Sequence, residues 1–251
     1  MPIISCTADS QAGIITVKAS GKNLSDDFFA GAEDASARLS ITVDNAKYTP
    51  DYVPMVAVKS GATSTTQPNN EIWYTSTDGK VVPPSKTNVF GANIVSNTYE
   101  DGKGVIKFDG EVTKIGEYAF SNCSSLTSVT IPDSVTEIGA YTFNNCSSLT
   151  SITIPDSVIV IGESAFRECS SLTSVSIPDS VTSIGEGAFS WCSSLKAFYG
   201  KFASADNRCL IVDGTLNAFA IGCDATSYTI PDSVTEIGYE AFSGCSSLTS
   251  V

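Results

Sequence analysis

Residues 126–148 read LTSVTIPDSVTEIGAYTFNNCSS, and residues 149–171 read LTSITIPDSVIVIGESAFRECSS. The second stretch repeats the first after 23 residues, a spacing that three prolines keep: Pro132, Pro155 and Pro178. The same words return at Pro231, 53 residues after Pro178, which is one period of 23 plus one enlarged unit of 30. A fixed period of this length predicts a solenoid, in which each repeat forms one coil that stacks on the next.

Each unit alternates apolar and polar residues up to its proline. Val129 and Ile131 stand between polar neighbours, which is the period of a half-buried strand. Pro132 ends this strand because proline lacks the N–H that a ladder needs, and Gly139 predicts a tight bend or a close approach of two backbones. A short helical turn is then expected to close the coil. The core side chains of one coil should be Leu126, Val129, Ile131, Val135, Ile138, Phe143 and Cys146.

The pattern resembles that of the BspA-like leucine-rich-repeat family, over about residues 105–251. The residues that carry the resemblance are Leu126, Val129, Ile131, Pro132, Val135, Ile138, Gly139, Phe143 and Cys146. It implies a right-handed solenoid with a parallel sheet on one face, and roles in adhesion and protein binding in surface or secreted proteins of anaerobic bacteria and some protists. We therefore predict a mainly β fold with short helical turns, in which a right-handed leucine-rich-repeat solenoid follows a small β domain.

The rest of the chain divides around the repeats. Residues 1–60 lack the repeat and predict a small β domain, with an immunoglobulin-like fold as one option and a role as anchor or spacer. Three strands are expected there: 13–20, 37–44 and 53–59. Residues 61–104 are predicted to form a linker and the N-terminal cap of the solenoid. In residues 105–251, Asp213 and Gly214 between two apolar runs predict a β-hairpin inserted at about 201–223.

The composition argues against several classes of function. The chain has no histidine, the commonest general base and metal ligand, and no Cys-x-x-Cys pair that would suggest zinc. Glycine-rich phosphate loops and nucleophile elbows are also lacking. We therefore expect that the protein is not an enzyme and that it binds no cofactor and no metal ion. The net charge of −13 would repel nucleic-acid phosphates and anionic membrane surfaces, and no apolar run is long enough to span a bilayer.

The cysteines and aspartates that recur at fixed positions of the repeat can each be interpreted in more than one way. Cysteines of the repeat are expected to be small buried core residues, whereas Cys209 and Cys223 flank the hairpin and could be bridged. Cys6 follows residues similar to the end of a bacterial lipoprotein signal, so acylation and an ordinary strand cysteine are both open. The aspartates either bind Ca²⁺, mark O-glycosylation or cap their own turns, and we favour capping. They are Asp133, Asp156, Asp179 and Asp232.

The exposed face of the predicted sheet offers the best contact site. Its regular coils present small hydroxyl side chains that suit a protein strand, a glycan or ice, unless the face is only solvated: Thr130, Thr153 and Ser176. The irregular coil adds aromatic residues beside the hairpin, and aromatic groups dominate binding energy at interfaces. They are Phe198, Tyr199 and Phe202. The alternative is that Phe198 and Phe202 fill the core and only Tyr199 is exposed.

These observations predict a non-catalytic, adhesin-like binding protein of the cell surface or extracellular space, whose solenoid contacts a protein or a glycan. The alternative is a structural or host-attachment component of a virion or other assembly, with residues 1–60 as the anchor and the repeats projecting. Val251 lies inside a strand without a polar cap. Because solenoids need caps, we expect either that the chain is truncated there or that self-association or a neighbouring subunit covers that end.

Overall fold

The computed structural model describes residues 3–9, 14–20 and 67–251, and the chain divides into two units, Met1–Thr65 and Thr66–Val251. In the first unit, β1 (Ile3–Asp9) and β2 (Ile14–Ser20) pair as an antiparallel hairpin. The predicted strand at 13–20 therefore exists. The strands expected at 37–44 and 53–59, and the side chain of Cys6 with its acylation, lie outside the described residues.

The second unit consists of strands joined by turns. Within residues 67–251 no helix is long and apolar enough to cross a membrane. The strands are β3 (Glu71–Ser76), β4 (Ile94–Glu100), β5 (Lys103–Phe108), β6 (Lys114–Ile115), β7 (Leu126–Thr130), β8 (Glu137–Ile138), β9 (Ser151–Thr153), β10 (Val160–Ile161), β11 (Ser174–Ile177), β12 (Ser183–Ile184), β13 (Ala197–Gly200), β14 (Cys209–Val212), β15 (Thr215–Phe219) and β16 (Glu236–Ile237).

Two ladders of parallel strands run through the repeats. The repeats are coil 1 (126–148), coil 2 (149–171), coil 3 (172–194), coil 4 (195–224) and coil 5 (225–247). In the first ladder β7 pairs with β9, β9 contacts β11, and β11 pairs with β13. The second ladder joins the two-residue strands β6, β8, β10 and β12. The mainly β solenoid predicted from the repeat is thereby confirmed.

Three antiparallel strands extend the first ladder on the side that precedes coil 1. β3 pairs with β7 so that Trp73 lies opposite Thr130. β5 pairs with β3, and β4 pairs with β5. The antiparallel strands cover the edge of β7 that would otherwise expose unpaired backbone groups.

The core is built of side-chain columns, with one residue from each coil. All seven positions expected in the core of coil 1 are buried, from Leu126 to Cys146. Phenylalanine rings stack with centroids 5.2–5.5 Å apart and nearly parallel planes, in the order Phe120, Phe143, Phe166 and Phe189. Four of the five repeat cysteines are buried as predicted, whereas Cys245 of coil 5 is only partly buried. The thiols of Cys146, Cys169 and Cys192 donate to carbonyls of the preceding unit, as Cys169 Sγ does to Phe143 O at 3.2 Å.

The segment that closes each coil differs from the predicted helical turn. Its amides alternate in direction: Phe120 N–H donates to Thr142 O of the following coil at 2.8 Å, and Ser121 N–H donates to Tyr118 O of its own segment at 3.3 Å. A helix would use each amide for the carbonyl four residues earlier. Because every second amide bonds to the next coil, successive tight turns replace the helix.

The glycine of each Ile-Gly pair lets adjacent coils approach closely. A Cβ on Gly162 would lie 2.5 Å from the backbone nitrogen of Ala140, and one on Gly139 would lie 2.8 Å from that of Glu117. Neither glycine has a left-handed φ, so the turn does not require it. The close backbone approach that Gly139 predicted is thereby confirmed, and it sets the spacing of the second ladder.

Coil 4 leaves the stack after β13. Gly200 takes the place of the isoleucine that precedes proline in regular coils; its φ is 87°, and a Cβ there would collide with the carbonyl oxygen of Ile177. The chain then forms an antiparallel hairpin from β14 and β15, whose turn contains Asp213 and Gly214. This hairpin lies within the insertion expected at 201–223.

One stretch of coil 4 is two residues shorter than in the other coils, namely the stretch between its second-ladder position and its closing segment. Three positions lead from Leu216 to Phe219, whereas five lead from Ile184 to Phe189 in coil 3. Among residues 67–251, β15 pairs with β16 of coil 5 and not with β12. Asn217 partly replaces the missing pairing, because its Nδ2 donates to Ile184 O at 3.4 Å. The second ladder is therefore interrupted between coils 3 and 4.

Candidate contact site

The exposed face of the first ladder presents every second residue of its strands. Thr130 lies opposite Thr153, and Ser176 lies opposite Tyr199, in the parallel pairing. All four side chains are exposed, and the alternate residues point inward. Because neighbouring strands are ~4.8 Å apart, the four side chains form a row of three hydroxyl groups that ends in a phenol ring. We call this set the hydroxyl row.

A second aromatic ring borders the hydroxyl row at its other end. Trp73 of β3 lies opposite Thr130, and the Nζ of Lys103 lies 3.0 Å from the indole centroid. The indole Nε1 donates to Glu71 Oε2 at 2.6 Å, and Glu71 Oε1 lies 3.4 Å from Lys107 Nζ. These contacts hold the partly buried ring in one place. Sequence reasoning did not identify Trp73 as a site residue, although its alternation with two buried neighbours was a usable signal.

Tyr199 is the most exposed aromatic side chain of this face, at 47%. Trp191, in the closing segment of coil 3, is exposed to the same extent. Exposure alone therefore does not distinguish the two rings. Their positions do, because Tyr199 continues the hydroxyl row and Trp191 belongs to neither ladder.

Phe198 is not available to a partner, so its prediction as a contact residue is wrong. Its side chain is fully buried, and its ring packs edge-on against Phe189 with centroids 5.5 Å apart. In the ladder it lies opposite Val175, which also points inward. The alternation of inward and outward residues along the strand places Phe198 in the core. The large ring of Phe198 had suggested a contact residue instead.

Phe202 lies at the edge of the core and lines a cleft of about 470 Å³. The cleft opens between the first part of the insertion, residues 201–206, and residues 228–233 of coil 5. Phe202 is therefore separate from the hydroxyl row in its role, since its partly buried ring forms a wall of a concavity. We call this concavity the insertion cleft.

One wall of the insertion cleft is a polar network that runs from the exposed Asp206 to the buried Cys209 and Tyr228. Ser204 Oγ donates to Asp206 Oδ1 at 2.6 Å and accepts from Cys209 N–H at 3.0 Å, while Cys209 Sγ donates to the Tyr228 hydroxyl at 3.2 Å. Burial raises the pKa of the Cys209 thiol to about 12, and burial and this hydrogen bond raise the pKa of Tyr228. Both groups stay protonated at neutral pH. Cys209 and Cys223, which could have been bridged, are free thiols.

The aspartates after each proline are exposed. The neighbouring serine makes the structural contact instead: Ser157 Oγ donates to Val135 O of the preceding coil at 2.6 Å, and Ser180 Oγ donates to Val158 O at 2.7 Å. The capping expected of the aspartates does not appear among the side-chain hydrogen bonds of the described residues, and the serine bonds to the preceding coil instead. In the described part of the chain, no group of three or more histidine, cysteine, aspartate or glutamate residues is placed to hold a metal ion.

Comparison with known families agrees with this architecture. A family model described as a BspA type leucine rich repeat region matches in six copies, over residues 93–207 and 215–251. The interval between the two matched stretches falls in the inserted hairpin. No curated protein matches the chain.

Solved structures with sequence similarity are also leucine-rich repeat proteins. A leucine-rich cell surface protein from Faecalibacterium prausnitzii shares 36% identity over 56% of this chain and 43% of its own, with a TM-score of 0.38. A leucine-rich repeat protein from Bacteroides capillosus shares 30% identity over 55% of this chain and 99% of its own, with a TM-score of 0.36. The chain thus spans less than half the length of the Faecalibacterium protein. Because both TM-scores are low, the family is shown by the match of the family model to residues 93–207 and 215–251.

Proposed function

Since the chain belongs to the BspA-type leucine-rich repeat family, we propose that it is a non-catalytic, adhesin-like protein of the cell surface or extracellular space. Its proposed ligand is another protein, held on the exposed face of the first ladder. The proposed location is supported by the Faecalibacterium relative, which is described as a cell surface protein.

The observation that carries the proposal is a row of three hydroxyl side chains that lies between two aromatic rings. Hydroxyl groups alone give little affinity, because each hydrogen bond to a partner replaces one to water. Aromatic side chains supply large contact areas at a low cost in conformational entropy. Trp73 and Tyr199 therefore provide two aromatic anchors, and the hydroxyl side chains between them form a polar surface that accepts many ligand sequences.

The spacing of the two rings defines the size of the ligand segment. Trp73 and Tyr199 are separated by four strand-to-strand steps along the row, which is ~19 Å at ~4.8 Å per step. An extended peptide advances ~3.3 Å per residue. The proposed ligand segment is therefore an extended stretch of ~6 residues that crosses the strands.

The test compares two variants with equally exposed rings. The purified chain is immobilised, ligands are captured from extracellular protein extracts and identified by mass spectrometry, and the dissociation constant of each purified ligand is measured. Tyr199→Ala should weaken binding by ~1–2 kcal/mol or more with an almost unchanged melting temperature. Trp191→Ala, which removes a ring of the same exposure from outside the ladders, should bind like the parent. Equal binding by the parent and Tyr199→Ala would refute the proposed contact surface.

A further inference from the structure

The insertion cleft is a concave site that no part of the proposed function uses. It exists because the turn after β13 is replaced by a longer segment, so that residues 201–206 stand apart from residues 228–233 of coil 5. Its volume of about 470 Å³ falls in the ~300–1,000 Å³ range of small-ligand sites. The other lining residues are Ile211, Tyr228, Thr229, Pro231 and Ser233.

The charged groups of the cleft define which ligands can bind. Lys201 Nζ already donates to the carbonyl oxygens of Asp179 at 3.0 Å and Val181 at 2.6 Å, so two of its three N–H donors are engaged within the protein. The carboxylate of Asp206 is exposed. With a net charge of −13 on the whole chain, a negatively charged ligand is disfavoured.

Asp206 is held through one of its two carboxylate oxygens. Its Oδ1 accepts from Ser204 Oγ at 2.6 Å and from Arg208 N–H at 3.1 Å, and Oδ2 makes no hydrogen bond to any described residue. A carboxylate oxygen of this kind accepts strong hydrogen bonds from hydroxyl groups. The exposed hydroxyls of Thr229 and Ser233 can both donate and accept.

The remaining wall is apolar and partly exposed. Phe202, Ile211 and Pro231 line the cleft and are each partly buried. An apolar ring wall beside a carboxylate and two hydroxyls is complementary to a pyranose, which has one C–H face and a rim of hydroxyl groups. We infer that the insertion cleft binds one unit of a neutral saccharide, with its C–H face toward Phe202 and a pair of its hydroxyls toward Asp206.

The test uses the complete chain and methyl glycosides as probes. Saturation-transfer difference NMR is recorded with the methyl glycosides of glucose, galactose, mannose and N-acetylglucosamine, and with that of N-acetylneuraminic acid as the anionic comparison. At least one neutral glycoside should show transfer to the ring C–H protons, and the anionic one should not. Asp206→Asn should weaken the binding neutral glycoside by at least about tenfold, because a charged acceptor becomes a neutral one.

Asp213→Asn is the matched control. It makes the same charge change in the turn of the same insertion, its φ of 49° suits asparagine, and Asp213 does not line the cleft. This variant should bind the glycoside like the parent. Phe202→Leu, which keeps an apolar wall without a ring, should also weaken binding, with folding checked by its melting temperature.

Three results would overturn the inference: no transfer to any neutral glycoside, transfer that Asp206→Asn leaves unchanged, or preference for the anionic probe. The inference stands apart from the proposed protein ligand. Tyr199→Ala should leave glycoside binding unchanged, so failure at the hydroxyl row and failure at the insertion cleft are distinguishable.

Discussion

Glu240 of coil 5 forms an ion pair with Arg167 of coil 2, across 73 residues of chain. Arg167 Nη1 donates to Glu240 Oε1 at 3.4 Å and lies 3.3 Å from Oε2, which makes no hydrogen bond of its own. The side chain passes Gly187, where a Cβ would lie 3.4 Å from Oε2. It reaches coil 2 because coil 4 lacks the two residues that would stand in its way.

The first prediction is that this ion pair between coil 2 and coil 5 stabilises the folded solenoid. Glu240→Ala should lower the free energy of unfolding by about 2 kcal/mol, because it leaves Arg167 partly buried without its partner. Glu236→Ala removes an exposed carboxylate from the same coil and should cost less than ~0.5 kcal/mol. Urea melts at neutral pH measure both. Equal losses would show that the charge of the coil matters and the pairing does not.

The second prediction separates close backbone contact from backbone strain. Gly162→Ala has an ordinary φ but would bring its Cβ to 2.5 Å from Ala140 N, so we expect a loss of ~3 kcal/mol as coils 1 and 2 move apart. Gly79→Ala has a φ of 65° and nothing within 4 Å of its Cβ, so strain alone should cost ~1 kcal/mol. A smaller loss for Gly162→Ala than for Gly79→Ala in urea melts would contradict the close-contact explanation.

The third prediction tests the inward and outward register. Phe166 lies between Phe143 at 5.4 Å and Phe189 at 5.2 Å, and Phe166→Ala should cost ~3–5 kcal/mol because it opens a cavity in the stack. Thr153 is exposed on the hydroxyl row, and Thr153→Ala should cost less than ~0.5 kcal/mol. Denaturant melts of the two variants give the comparison, and similar losses would refute the register.

The fourth prediction concerns alkaline pH. Burial raises the pKa of the Cys192 thiol to about 12, whereas an unfolded chain releases a thiol proton near pH ~8.5. Unfolding therefore releases this proton at alkaline pH, so the stabilisation present below pH ~8.5 is lost as pH rises towards about 12. Between pH 9 and 11 the parent should lose up to ~1.4 kcal/mol per pH unit more than Cys192→Ala. Urea melts with reductant measure the two slopes, and parallel slopes would count against thiol burial.

The fifth prediction is a stabilising substitution. Glu168 has a φ of 60°, a conformation that Asn122 and Asn145 adopt at the same position of earlier units, where Asn145 Nδ2 donates to Asn122 Oδ1 at 3.0 Å. Glu168→Asn should gain ~0.5–1 kcal/mol, because asparagine tolerates this region better than glutamate. The lost contact to Arg167 is partly exposed and contributes little. Calorimetry should show a higher melting temperature, with no gain for Glu186→Asn, whose φ is ordinary.

The repeat made the regular coils predictable from sequence. Fixed spacing assigned Phe143 and Cys146 to columns, and stacking of identical units leaves each column one environment. The closing segment was predicted less well, because helical turns and successive tight turns place the same residues inward. Only the coil-to-coil amide bonds, such as that from Phe120 to Thr142, decide between them.

The irregular coil was harder to predict. Phe198 could have been assigned to the core by its register with Val175, but its size suggested a contact residue. The path of Glu240 depends on a two-residue deletion, which a nine-residue insertion between Gly200 and Leu216 of the same coil hides in the sequence. The insertion cleft depends on the distance that separates residues 201–206 from residues 228–233 of coil 5, which no local pattern specifies.

The interruption of the second ladder has a mechanical consequence. At the boundary between coils 3 and 4, the first ladder continues through β11 and β13. Across the second ladder, the hydrogen bond from the Asn217 side chain to Ile184 is the one that joins these coils in the described part of the chain. A boundary that is hydrogen-bonded along one side by paired strands and along the other by a single side chain bends more easily than the rest of the solenoid. Tension along the solenoid axis should therefore open the weak side at this boundary first, while coils 1–3 stay intact as a shorter rod.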